Sequence, residues 1–274
     1  MSRPTISDPA EMDGRVARTT VTSFRIVDAL RDRDAVGVTE LADELSLGKG
    51  TVHKHLNTLH EMEYVVKERG KYRLSLGFLG LGASVRTRMP IYRVIQQPLE
   101  NLAESTGEAA SVLIPEHTSG IYLARVTTGT EPPAELYEGK RVPLTATAAG
   151  KAILAYLPAD ERDRILDESG LPKLTDNTIT DRETMLEELQ TIHDDRTAHD
   201  RGELEADRHC VASPITDADN TAIAAVSVSG PAERMREKSI RQDFPSILGS
   251  TATSIKNRVA NEQSKRQASA DPNR

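Results

Sequence analysis

Residues 39–76, TELADELSLGKGTVHKHLNTLHEMEYVVKERGKYRLSL, constrain the fold more than any other stretch of this chain. Leu41, Ala42 and Leu45 give a short helix its apolar face, with Thr39 expected as its N-cap and Asp43 and Glu44 early in it. Ser46-Leu47-Gly48 reads as a tight turn. Val52, Leu56 and Leu59 then fall at i, i+4 and i+7, which predicts a helix over about 49–62 with one buried stripe. Two brief strands follow, Tyr64-Val65-Val66 and Tyr72-Arg73-Leu74, joined by Arg69-Gly70. This order is that of a winged helix-turn-helix, whose second helix lies in the major groove of DNA.

The buried stripe leaves Lys49, Thr51, His53, Lys54 and Asn57 facing outward, and Thr39 and Gly50 complete the expected DNA-facing set on the helices. Arg69 and Lys71 stand at the wing tip, where phosphate contact competes with simple solubility of a turn. His55, three positions after Val52, is expected to be partly buried.

Charge is distributed to match. The chain has 42 acidic and 35 basic residues, a net charge of −7. Residues 19–88 carry 11 Lys/Arg against 9 Asp/Glu, net +2, whereas residues 89–274 carry 21 against 30, net −9. The positive segment is the one with the helix-turn-helix pattern. Arg outnumbers Lys 25 to 10, and acid excess with scarce Lys is a composition that a salt-adapted cytoplasm, such as that of a salt-adapted archaeon, favours. High salt weakens counterion release, so base-edge contacts would carry more of the selectivity. No apolar run approaches the length of a membrane span, the first 20 residues lack an apolar core of a signal peptide, and Cys210 has no partner for an internal disulfide. A cytoplasmic protein that does not enter a membrane is the expectation.

Five segments are expected along the chain: a flexible arm (1–18), the winged module (19–76), a linker helix (77–90), a larger mixed domain (91–261) and a disordered tail (262–274). The first helix is expected over about 20–33 with Phe24, Val27, Ala29 and Leu30 inward. Pro90 and Pro98 interrupt the helical stretch 77–106, and Gly77, Gly80 and Gly82 would permit close packing against a second copy. Beyond residue 109, strands are expected near 110–114, 120–127, 134–137, 211–216 and 222–229, with helices near 149–157, 160–168, 182–195 and 236–260. Mixed in this way, they imply an α+β domain with a curved antiparallel sheet.

Chemistry-bearing residues in the larger domain give little sign of catalysis. Cys210 lacks an apparent base to activate it, since adjacent His209 would point to the other strand face. His193, His199, His209 and Cys210 match no tight zinc spacing. Gly150-Lys151 lacks the flanking residues of a phosphate loop. No metal, cofactor or enzymatic activity is expected; an enzyme or metabolite-binding protein that uses its winged helix for protein contacts is the alternative.

Longer motifs carry a resemblance. GKGTVHKHLNTL at 48–59, YRLSLGFLGLG at 72–82, PLTATAAGKAILAYL at 143–157, LTDNTITD at 174–181, CVASPITD at 210–217 and AVSVSGP at 225–231 together resemble the IclR family of transcriptional regulators, over about residues 20–260. The resemblance implies an N-terminal winged helix-turn-helix joined by a linker helix to a GAF-like α/β effector-binding domain. It also implies a homodimer or homotetramer on a near-palindromic, double-stranded operator, repressing or activating a catabolic operon under a small organic acid or sugar-derived effector. By motif, Ala148, Ala149 and Gly150 would form one wall of the effector cup, and Asp200, Cys210, Ser227 and Ser229 its polar contacts. Asp207 and Arg208 depart from the family pattern, and an inward Arg208 would give an anionic effector a charge-assisted partner.

Overall fold

The computed structural model describes Ile6, residues 16–128 and residues 138–270. Its contacts divide the chain into two units, 1–85 and 86–274.

In the first unit, α1 (Arg18–Leu30), α2 (Val38–Leu45) and α3 (Lys49–Glu61) pack around Ile26, Leu30, Leu41, Val52 and Leu56, all buried. Strands β2 (Val65–Glu68) and β3 (Lys71–Leu74) form the wing, and β1 (Val36–Gly37) adds a third strand to β3. Both residues of the wing turn have positive φ, Arg69 at 50° and Gly70 at 80°, the twist that a two-residue hairpin requires. α2 and α3 each end in a Schellman-type bond, Leu47 N–H to Ala42 O and Tyr64 N–H to Leu59 O, both 2.9 Å. The left-handed residues there are Ser46 and Glu63, where glycine is usual.

Three sequence expectations fail in this unit. Gly37, not Thr39, occupies the N-cap of α2, because the chain arrives extended from β1 and the helix begins one residue before Thr39. α1 starts at Arg18 and ends at Leu30, and it turns Phe24 outward, 54% exposed, burying Ile26 and Thr22 instead. An apolar residue off the i, i+3/i+4 stripe cannot reach a core that three short helices enclose.

α4 (Gly77–Arg88) crosses the boundary between the units and buries none of its residues. The second unit opens with α5 (Tyr92–Thr106), which contains Pro98 where the sequence predicted an interruption. Only Pro90 coincides with the break; Ile95, Leu99 and Leu102 bury the same face on both sides of Pro98 and hold the helix together.

Six antiparallel strands, β4 (Ala109–Glu116), β5 (Ser119–Val126), β6 (Arg141–Pro143), β7 (Ala198–Arg201), β8 (Arg208–Thr216) and β9 (Ala222–Pro231), lie in the order β6-β5-β4-β9-β8-β7. The strand expected at 134–137 lies outside the described residues, and short β6 and β7 were not anticipated. Register shifts at Val112/Leu113 and Ile215/Thr216 bend the sheet. One face packs under α5, α9 (Ala232–Arg241) and α10 (Phe244–Ala270), through Leu99, Val226, Val228, Met235, Phe244 and Ile255. The other packs under α6 (Ala148–Leu154), α7 (Ala159–Ser169) and α8 (Arg182–Asp195), through Leu144, Ile153, Met185 and Leu189. This is an α+β domain with a helical layer on each face of a curved sheet.

The helix expected over 236–260 is two helices. Asp243 caps the second, accepting from Ser246 N–H at 3.2 Å and Ser246 Oγ at 2.7 Å, with Pro245 in the first turn. α10 then continues to Ala270, where a disordered tail was expected from 262. Beyond Val259 the described residues are mostly exposed, and Glu262 still meets Arg93 of α5 at 3.6 Å.

Candidate DNA-reading face and effector site

Burial of Val52, Leu56 and Leu59 sets the rotation of α3, and every outward residue expected from sequence is exposed: Lys49, Gly50, Thr51, His53, Lys54 and Asn57. His53 and Asn57, one turn apart, have side-chain nitrogens 3.4 Å from each other. His55 is half-buried, its Nδ1 2.8 Å from Ser23 Oγ, and burial followed by the Lys54 charge holds its imidazole below the usual range. That ring secures α3 to α1 and is not offered to solvent. Arg69 and Lys71 are exposed at the wing, and Lys67 lies over the Tyr72 ring at 5.4 Å. Thr39 is exposed in the first turn of α2.

In the second unit, register places the polar residues on the sheet face below α6. Asp200 pairs with Cys210, and Cys210 with Ser229, making one row; Ala212, Ser227, Ser111 and Arg125 make the next. Ser111 Oγ and Ser227 Oγ are 3.2 Å apart. Arg208, two residues before Cys210, shares its face. Asp200 Oδ1 accepts from Glu203 N–H at 2.6 Å, and burial raises its carboxyl to about 7. The Cys210 thiol is pushed up to about 12, first by burial and then by the Asp200 charge, so it is a poor nucleophile at neutral pH.

Ser111, Tyr122, Arg125, Glu188 and Glu203 at this site were not singled out from the sequence, whereas Lys151 and the 174–181 motif were. Tyr122 and Arg125 are three apart on β5, so strict alternation would separate them; the irregularity at Val112/Leu113 brings both to the cup face. Burial raises the Tyr122 hydroxyl above its usual range. Lys151, fully buried, binds Glu203 at 2.6 Å and Glu188 at 2.9 Å, tying α6 and α8 to the loop after β7. That loop is also held by the 174–181 motif. Thr175 Oγ1 donates to Gly202 O (2.6 Å), Thr178 Oγ1 to Glu203 O (2.7 Å), and Asn177 Nδ2 to Arg201 O (3.1 Å). Gly202, at φ 87°, makes the turn.

Ala148, Ala149 and Gly150, the expected wall, open α6. All three are buried in the core, and a Cβ on Gly150 would collide with the Leu144 backbone. Nor is the Gly150 N–H free for a ligand: Thr147 Oγ1, the N-cap of α6, accepts it at 3.0 Å. Thr147 is the better donor-satisfier here because its side chain is held within the same turn. Polar atoms without a hydrogen-bond partner remain at Ser229 Oγ, Glu203 Oε2, Glu205 Oε1, and Arg208 Nε and Nη2. A buried polar group left in this state costs about 1–3 kcal/mol, which is why such groups collect at binding sites.

Comparison with known proteins agrees with both halves. The family model described as the bacterial transcriptional regulator IclR C-terminal domain matches residues 83–257, and the IclR helix-turn-helix domain matches 22–69. The chain belongs to the IclR family of transcriptional regulators. The HTH-type transcriptional regulator KdgR of Escherichia coli is 29% identical over 234 residues, covering 85% of this chain and 89% of that protein. Thermotoga maritima IclR superposes with a TM-score of 0.71 at 27% identity, over 88% of this chain and 98% of that one. An IclR homolog of Microbacterium hydrocarbonoxydans, solved with 4-hydroxybenzoate, shares the fold at a TM-score of 0.73 and 21% identity, over 89% and 99%. The protein is thus a helix-turn-helix regulator with an effector-binding type of C-terminal domain. Among the described residues, no helix is long and apolar enough to cross a membrane.

Proposed function

We propose that this cytoplasmic regulator binds a near-palindromic operator of a catabolic operon as a homodimer or homotetramer, under control of a small organic acid or sugar-derived metabolite. The observation that carries the reading is the bare polar face of α3, where Lys49, Thr51, His53, Lys54 and Asn57 project together beside a basic wing tip. Residues of this kind read base edges and hold phosphates, which is the division of labour in winged modules. Self-association is supported by α4 and its approach, where Leu76, Leu79, Leu81 and Val85 are 52–82% exposed. Effector control is supported by the row Asp200–Cys210–Ser229, in which Asp200 and Ser229 are buried and Cys210 half-buried, and by the carboxylic acid bound to the Microbacterium homolog of the same fold. α4 is the covalent route between reader and cup.

Footprinting on the DNA upstream of the chain's own gene tests the reading. Two protected half-sites about one helical turn apart, or a multiple of it, are expected. Uniform weak protection of any duplex would count against it.

A further inference from the structure

α10 is a basic helix in an acidic unit. Over Phe244–Ala270, Lys256, Arg258, Lys265 and Arg266 stand against Glu262 alone, net +3, whereas residues 89–274 total −9. Arg258 and Lys265 line an open groove of about 440 Å³ between α5 and α10, on the sheet face opposite α6. Arg258, Asn261, Glu262 and Lys265 fall at i, i+3, i+4 and i+7, and Arg93 and Glu100 lie seven residues apart on α5. Each helix therefore gives the groove one stripe, about 10 Å long. A cavity of this size is in the range that holds small molecules.

The polar groups in it are unequally engaged. Glu100 Oε1 accepts from Gln96 Nε2 at 2.7 Å. Arg93 meets Glu262 loosely, Nη1 to Oε1 at 3.6 Å, and its side chain stays 54% exposed. Arg258 and Asn261 have no hydrogen bond or ion pair among the described residues. Three cations (Arg93, Arg258, Lys265) face two carboxylates (Glu100, Glu262), a net of +1 in a unit that is otherwise strongly negative. Such a spot draws anions.

We propose that the α5–α10 groove is a second ligand site, and that its ligand is a phosphate monoester of a sugar or polyol. The site lies on the other side of the sheet from the polar row and does not depend on effector control there. Charge selects the phosphate. A phosphate ester presents three oxygens in a tetrahedron and can bridge cations from two helices, whereas the planar fork of a carboxylate answers one guanidinium. Its second charge also outweighs the single carboxylate that Arg93 already faces. Hydroxyls suit the remaining groups: Glu100 and Glu262 accept from them, and the Asn261 amide both donates and accepts. Among the lining residues Val94 is the one apolar side chain and none is aromatic, so a nucleobase would find no ring to stack on. The ligand is a sugar phosphate, not a nucleotide.

The test uses the full chain, with calorimetry and thermal shift against glucose 6-phosphate and glycerol 3-phosphate. Each is measured beside its neutral parent, glucose or glycerol, and beside inorganic phosphate. At least one ester is expected to bind and stabilise, with its parent and inorganic phosphate binding far more weakly. Arg258→Gln should weaken that ester about tenfold, the size of one charge-assisted hydrogen bond. Glu262→Gln removes the carboxylate that competes for Arg93 and should tighten the ester about two- to fivefold, the range of an exposed ion pair. Because Glu262→Gln gains affinity, misfolding cannot imitate the expected result. Binding of neither ester, or equal binding of ester and neutral parent, overturns the proposal. So does equal binding of inorganic phosphate, which would mark an adventitious ion only. Affinity unmoved by Arg258→Gln or by Glu262→Gln overturns it as well, since the ester would then sit elsewhere.

Discussion

Gly150 shows how little room one position can leave. Any side chain there would overlap the Leu144 backbone, and α6 cannot move away without dislodging buried Lys151 from its two carboxylates. Gly150→Ala should destabilise the second unit by about 1–3 kcal/mol or more, read as a lowered midpoint in urea. Glu63 is the opposite case. It is exposed and held at φ 64°, a conformation that costs a non-glycine residue roughly 1–2 kcal/mol. Glycine gives back part of that through its freer unfolded chain, so Glu63→Gly should raise stability by up to about 1 kcal/mol. A lower melting temperature would show that the Glu63 side chain makes a compensating contact. Asp200 adds a pH signature. Its carboxyl is raised from 3.8 to about 7, so the folded chain takes up a proton that the unfolded chain lacks between those values. Its contribution to stability is complete below about pH 4 and is lost as pH rises toward 7. Glu203, raised by burial as well, acts in the same direction. The melting temperature of Asp200→Asn should accordingly fall less than that of the natural chain between pH 5 and 7.5; parallel curves would contradict the assignment.

At the scale of elements, α3 is a core helix on one face and a reader on the other. Lys54→Ala and Arg69→Ala should each weaken operator binding, and a residue that contacts phosphate should lower the salt slope by about one. A base-reading residue should instead cost about 1–3 kcal/mol and relax selectivity at one position. α3 was legible in sequence because three apolar residues at helical spacing fix its rotation. The wing tip was legible because Arg69-Gly70 separates two short β-rich runs. β1 and β7 were not, since two to four residues give no measurable period. Thr39 misled as a cap because a residue suited to capping is equally tolerated at an exposed place in the first turn, two residues after the cap. The boundary between α9 and α10 had its signal in Asp243-Phe244-Pro245-Ser246, an N-cap followed by a first-turn proline. The polar sheet face below α6 was legible only in part. Motif resemblance supplied Asp200, Cys210, Ser227 and Ser229, but Arg125 and Tyr122 share their face through a strand irregularity that no local pattern encodes.

For the whole molecule, the opposition between a net +2 reader and a net −9 remainder matters more than total charge. Bulk attraction to DNA is weak for such a chain, so selectivity must come from the few side chains α3 presents. Self-association would double that reading surface. The exposed Leu79, Leu81 and Val85 predict that Leu81→Glu with Val85→Glu lowers the association state in sedimentation while each chain stays folded. Unchanged sedimentation would move the interface elsewhere. The central claim is that α3 reads sequence, and fluorescence anisotropy on the chain's own upstream DNA addresses it most directly. Tight binding to that duplex, weaker binding by orders of magnitude to a scrambled duplex of equal length, and a marked loss in Lys54→Ala are expected at the salt of the host cytoplasm. Equal affinity for both duplexes, unaltered by Lys54→Ala, would contradict it.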